Sequence, residues 1–220
     1  MTLPAISAVA FCPHPPLLLP GIAAGAEIET QSLRFACDRA LGRLFETSPS
    51  QVVIVGADGR AVSVGSFAPG LADPDPRTFP LSLLVGDWLL SRKPRQEQHC
   101  PVTYVPIKPD GTPNTPWPDM TEPTALLVMG DGSARRSVKG PGYLDERAQP
   151  FDDHVVDALA KAAPEQLATL DLALAAELLV AGAPAWVATA KLVGSGWHGE
   201  VLYADAPYGV MYTVATWLRA

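Results

Sequence analysis

The run Gln51–Val55, QVVIV, constrains the chain most. A continuous β-branched stretch of this kind belongs to strands buried on both faces, as in parallel sheets covered by helices. Ahead of it, Leu33, Cys37, Ala40, Leu41, Leu44 and Phe45 recur at steps of three and four. That is the stripe of a helix packed on a sheet; it starts near Ala26, and Ser48-Pro49-Ser50 stops it. Val9–Phe11 closes an earlier strand, so the order is strand, helix, strand. It predicts a parallel pair joined by a right-handed crossover. Ala125–Met129, ALLVM, is the next buried strand, and the fold class is α/β with a mixed or mostly parallel sheet.

The rest of the chain fills in around these runs. Leu81–Leu90 predicts a short helix and Val102–Val105 a strand, while Pro106–Pro123 is too rich in proline for a regular element. Helices are expected from about Asp152 to Ala162 and from about Leu172 to Ala181, the second stopped by Gly182 and Pro184. Trp186–Leu192, Val201–Tyr203 and Val210–Trp217 read as closing strands or strand–helix pairs. No internal repeat or hinge divides the chain, so residues 1–220 are expected to form one domain.

Composition narrows the partners. The net charge of −7 and the lack of a basic run argue against nucleic acid and against an anionic membrane surface. No uninterrupted apolar run is long enough for a membrane span, and the N-terminus lacks the basic region of a signal peptide. Three cysteines, Cys12, Cys37 and Cys100, without metal-type spacing suit a reducing cytoplasm better than a disulfide framework. The expected partner is a small-molecule substrate or ligand, and a homo-oligomer is an open option.

Chemistry concentrates where the strands end. Val9–Phe11 leads directly into Cys12-Pro13-His14-Pro15-Pro16. The prolines push their neighbours into extended backbone, so His14 is expected on a stiff, exposed loop. The second strand ends at Gly56-Ala57-Asp58-Gly59, and the third at Gly130-Asp131-Gly132-Ser133-Ala134-Arg135-Arg136. Ligands of open α/β sheets collect outside the carboxyl ends of strands. Asp58 reads either as a metal ligand beside His14 or as a turn aspartate bonding its own backbone. The glycine-rich third turn reads as an anion cradle using Arg135 or Arg136, or as a surface arginine pair. His198, Glu200 and Asp205 add an imidazole and two carboxylates, and such sets hold iron or zinc with one position left open. Asp152, Asp153 and His154 look like a helix start. His99, with no partner at metal spacing, reads as structural.

PHPPLLLPGI at Pro13–Ile22, VVIVGADG at Val52–Gly59, LLVMGDGSARRS at Leu126–Ser137, PFDDHVVDAL at Pro150–Leu159 and APYGVMY at Ala206–Tyr212 occur in that order. Together they resemble the class III extradiol ring-cleavage dioxygenase family, catalytic B-subunit type, to which Memo-like proteins are related. The resemblance implies a three-layer α/β/α sandwich. It also implies Fe(II), or another divalent metal such as Zn(II), held by two histidines and a glutamate, with a further acid–base histidine. His14 matches the first iron histidine. Ala57 and Asp58 stand where the second belongs, and Glu200 or Asp205 would supply the carboxylate. The acid–base position falls in the Gly130–Arg136 turn, where Ser133 and Arg135 are the catalytic candidates. Asp131, Arg136, Asp152 (a recurrent family aspartate) and His198 are the candidates for touching substrate. The expected protein is thus a divergent, metal-dependent oxidoreductase on a small aromatic or anionic substrate, or a non-catalytic binder with the same fold.

Overall fold

Alternate residues of the central strands face opposite helical layers, as the two-residue period of a strand requires. Val9, Phe11, Val53, Val55, Leu126 and Val128 enter one core, while Ala8, Ala10, Cys12, Val52, Ile54, Ala125, Leu127 and Met129 enter the other. The structure is a computed structural model and describes residues 4–19, 27–63, 78–92 and 100–219. Its strands are β1 (Ile6–Cys12), β2 (Gln51–Ala57), β3 (Ala61–Val62), β4 (Phe79–Pro80), β5 (Val102–Ile107), β6 (Thr124–Met129), β7 (Trp197–Asp205) and β8 (Tyr212–Arg219). The helices are α1 (Glu27–Glu46), α2 (Leu81–Ser91), α3 (Ala148–Ala160), α4 (Pro164–Ala168), α5 (Leu172–Glu177) and α6 (Ala183–Val193).

Among the described residues the main sheet has the order β5-β2-β6-β1-β8-β7. β5, β2, β6 and β1 run parallel, while β8 is antiparallel to both β1 and β7. α1 and α2 cover one face, and α3, α4 and α6 cover the other, giving the three-layer α/β/α sandwich. Phe11 and Trp217 meet edge to face at 4.9 Å beneath α3. The Trp217 indole N–H donates to the Leu159 carbonyl at 2.7 Å, which anchors that helix to β8. Burying such side chains contributes about 1.5–3 kcal/mol each.

Five expectations change. β1 and β2 are parallel but not neighbours, because β6 pairs with both and lies between them. Pro106 and Ile107 continue β5 instead of opening the irregular stretch. β5 is an edge strand, where a residue without an N–H is tolerated. Trp186–Leu192 lies inside α6, a helix apolar on almost every side and buried accordingly. Pro184 occupies its first turn, a position suited to a residue with no amide hydrogen to leave unpaired. α3 starts at Ala148, which puts Asp152 in its second turn rather than at a cap. His99 lies outside the described residues.

Candidate functional site

β1 and β6 are neighbouring parallel strands whose chains leave in opposite directions. After Cys12 the backbone passes through Pro13–Pro15 into a single 3₁₀ turn at Pro16–Leu18, and Leu18 and Leu19 join the core under α1 and α2. After Met129 it turns instead toward α3 on the other face. In open α/β sheets such a divergence is where a ligand crevice forms, at the carboxyl ends of the strands. Two residues join the loops here. The His14 backbone N–H donates to Asp131 Oδ1 at 2.7 Å, and His14 Nδ1 lies 3.9 Å from the same oxygen.

Both side chains are largely withdrawn from solvent, His14 at 8% and Asp131 at 15% exposure, so the expected exposed histidine is in fact buried. Pro15 is extended, with φ −63° and ψ 143°, as the proline-rich sequence dictates. Among the described residues His14 Nδ1 is a buried polar atom with no hydrogen-bond partner. Burial pushes the Asp131 carboxyl above its ordinary range, while the His14 charge and then its amide pull it back.

The β7–β8 turn forms the next wall. Gly132 N–H donates to the Met211 carbonyl at 2.8 Å, and Met211 N–H donates to the Ser133 carbonyl at 2.9 Å. These two bonds bring Tyr212 beside Asp131. Burial, then Asp131, Tyr208 and Tyr203, push the Tyr212 phenol upward. Tyr208 and Tyr212 belong to the quoted APYGVMY, while Tyr203 carries no local signal. Behind the crevice a Cβ on Gly130 would stand 2.5 Å from the Gly182 Cα and 2.8 Å from Trp186 Nε1. Only glycine lets the start of α6 pack this closely on the end of β6.

The remaining candidates serve the scaffold or lie elsewhere. Ser133 is fully buried; its hydroxyl donates to the Leu178 carbonyl at 2.7 Å and accepts from the Arg135 N–H at 3.1 Å. The backbone N–H of Ser133 donates to Asp152 Oδ1 at 2.9 Å, and the Arg136 guanidinium meets Asp152 Oδ2 at 3.1 Å. Asp152 therefore ties α3 to the glycine-rich turn and consumes the charge of Arg136. Burial pushes the Asp152 carboxyl up, against the Ser133 amide and Arg136. Arg135 packs its stem against Gly142, and its Nε is buried without a partner among the described residues. The Asp153 and His154 side chains are exposed on α3.

Asp58 follows β2, which β6 separates from β1 by two sheet spacings, roughly 10 Å. It caps its own turn, accepting from the Gly59 N–H at 2.8 Å and from the Asn114 amide at 2.8 Å. It also borders a separate cavity of about 200 Å³ with Ile107, Pro109 and Pro184. Glu200 faces α1 from the middle of β7, with Arg39 at 3.3 Å and Arg43 at 3.6 Å. His198 is exposed and pairs with Leu218, toward the opposite edge of the sheet. Asp205 pairs with Tyr212 at the end of β7, itself two strands from β1, and accepts from the Ala206 N–H at 2.7 Å.

This donor set does not fit the iron or zinc centre that the resemblance implies. His14 and Asp131 are two donors, and among the described residues no group of three His, Cys, Asp or Glu could hold an ion. What the His14–Asp131 junction gathers is a buried imidazole nitrogen and a carboxylate, with the Tyr212 phenol in electrostatic range. No described helix is long and apolar enough to cross a membrane. Comparison with protein-family models and with curated proteins found no match for the chain.

Proposed function

We propose that the chain is a divergent relative of the class III extradiol dioxygenases that binds a small polar molecule in the His14–Asp131 crevice. One observation carries this reading. Among the described residues an imidazole nitrogen is buried without a hydrogen-bond partner at the switch point of an α/β sheet, beside a carboxylate that accepts from the backbone of the same histidine. An unpaired buried polar atom costs about 1–3 kcal/mol, a cost that a ligand's hydrogen bond removes. The engagement of Asp58 with Asn114, and of Glu200 with Arg39 and Arg43, supports a binding site in preference to the expected metal set. A catalytic version of the reading rests on the same pair, in which burial raises the Asp131 carboxyl.

The test is ligand-observed NMR with a library of small polar fragments, run on the wild type and on His14→Gln. Glutamine keeps the backbone bond to Asp131 and removes the imidazole. Fragments that bind the wild type and lose affinity in the variant support the proposal. Fragments indifferent to the substitution contradict it.

A further inference from the structure

We propose a second ligand site, in the pocket where the carboxyl ends of β2 and β5 meet α5 and the start of α6. Its ligand is a small hydrocarbon bearing a protonated amine, with the body in the pocket and the ammonium group on Asp58. β2 and β5 lie beyond β6 from His14, so this site is separate from the His14–Asp131 junction and is tested independently of it.

The space is there to be filled. The cavity measures about 200 Å³. One of ~150 Å³ is enough for benzene, and a cavity walled by hydrocarbon stays dry. Its floor is the buried Ile107, Ala175 and Val180, while Asp58, Pro109 and Ala176 stand on its exposed rim. The gap is not general looseness of the helical layer. At the end of the next strand, β6, a Cβ on Gly130 would stand 2.5 Å from the Gly182 Cα, just ahead of α6. The walls are also tied together. Ala57 and Ile107 are register partners, so the two strands end level with each other. The turn after β5 is closed by the Gly111 N–H donating to the Lys108 carbonyl at 2.9 Å. A Cβ on Gly111 would come within 3.2 Å of Val187 Cγ1 and 3.4 Å of Leu172 Cδ1, which seats that turn on α6 and α5. A preformed, mostly apolar hollow outside the carboxyl ends of parallel strands is the ordinary form of a small-molecule site.

Charge selects the head group. Among the described residues lining the pocket, Asp58 is the single polar side chain; the others are Ala, Val, Leu, Ile and Pro. Its carboxylate is fixed by two neutral donors, the Gly59 N–H at 2.8 Å and the Asn114 amide at 2.8 Å. Neither cancels the charge, and among the described residues Asp58 has no Lys or Arg ion pair. Each oxygen keeps acceptor capacity for an incoming donor. Other polar groups near the rim are spent or lacking. The Ile107 carbonyl accepts from the Asp58 N–H at 2.7 Å, and Pro184, in the first turn of α6, has no N–H to offer an anion. A carboxylate or phosphate head would meet the charge of Asp58 with no cation in the lining. An alcohol gains one ordinary hydrogen bond, whereas an ammonium gains a charge-assisted one.

The experiment uses a head-group series on one compact frame: cyclohexylamine, cyclohexanol and cyclohexanecarboxylate. Each is titrated into uniformly ¹⁵N-labelled protein near neutral pH. The expected result is that cyclohexylamine moves the amides of Asp58, Gly59, Ile107, Ala175 and Ala176 and binds more tightly than the other two. In Asp58→Asn, which keeps an oxygen for the Gly59 N–H, amine affinity should fall roughly tenfold or more while that of cyclohexanol holds. Ala176→Leu puts a good helix former on the exposed rim, where its side chain occupies the pocket, and should abolish binding of the whole series. Because the three probes are first compared on unaltered protein, the result stands whether or not a variant folds. Alcohol or carboxylate binding that matches the amine overturns the ammonium assignment. Amine binding that persists in folded Ala176→Leu overturns the placement in the pocket. If no probe moves these amides the site is refuted, and the His14–Asp131 reading is still judged by its own fragment screen.

Discussion

The 2.7 Å bond from the His14 backbone N–H to Asp131 Oδ1 ties together two loops that leave adjacent parallel strands for opposite faces of the sheet. Among the described residues it places an imidazole whose Nδ1 has no hydrogen-bond partner beside a carboxylate with no Lys or Arg ion pair. The behaviour expected of the molecule follows from that junction and from the packing behind it.

Packing behind the crevice leaves no room at Gly130. A Cβ there meets backbone at Gly182 and the indole of Trp186, and backbone does not yield cheaply. Gly130→Ala is expected to cost about 1–3 kcal/mol or more through overpacking. At Gly59 a Cβ would meet nothing within 4 Å, so Gly59→Ala should stay within about 0.5 kcal/mol. Urea denaturation of both variants checks this; equal effects would contradict the packing described.

Two ion pairs should behave very differently on truncation. Arg136→Met leaves Asp152, 1% exposed, without its cation and is expected to cost about 3–5 kcal/mol. Glu200→Gln removes pairs whose side chains are about half exposed, worth about 0–1 kcal/mol. It should also leave fragment binding unchanged, since Glu200 faces α1. Binding lost in Glu200→Gln would restore that residue to the site.

The α/β class was readable from the sequence because QVVIV and ALLVM are short, apolar and bounded by turn residues, as doubly buried strands are. Trp186–Leu192 was not readable, since a helix buried on every side shows no 3.6-residue stripe to separate it from a strand. Pro184 was ambiguous for a related reason: one proline can follow a helix or begin the next. His14 and Asp131 stand out locally, as a proline-fixed histidine and a glycine-flanked aspartate. Their pairing depends on β6 inserting between β1 and β2, a long-range event with no local signature. The same insertion places Asp58 two strands from His14, where it accepts from Asn114. Glu200 was misdirected by face: its position on β7 turns it toward the arginines of α1, and spacing alone does not report that.

Asp131 also predicts a pH dependence. Burial raises its folded pKa above the ordinary 3.8. The folded state then holds the proton more tightly than the unfolded state. The contribution of this group to stability is therefore fullest below about 3.8 and is lost as pH rises through the folded value. In Asp131→Asn the titration is gone, while that of Asp152 remains in both proteins and cancels. The stability of wild type relative to variant should fall as pH increases from acid toward neutral, measured by urea midpoints across that range. A difference that rises with pH would reverse the sign and refute the burial argument.

Ring cleavage should be absent or very weak. Asp58 and Glu200 are engaged away from His14, so the family's ligand set is not assembled by the residues that match it. Protein treated anaerobically with Fe(II), then given protocatechuate or catechol under oxygen, is expected to form no yellow ring-opened product. Robust colour that disappears in His14→Ala would show that the set is completed in another way.

Amide chemical-shift mapping of polar fragment hits on the wild-type protein addresses the crevice most directly. The shifts should gather on Cys12, His14, Gly130–Gly132, Met211 and Tyr212, the residues around the His14–Asp131 junction. The competing location is the cleft of about 500 Å³ between α3 and α5, lined by Phe151, His154, Leu170 and Leu174. Shifts gathered there, with His14 and Asp131 unmoved, would contradict a ligand site at the switch point between β1 and β6.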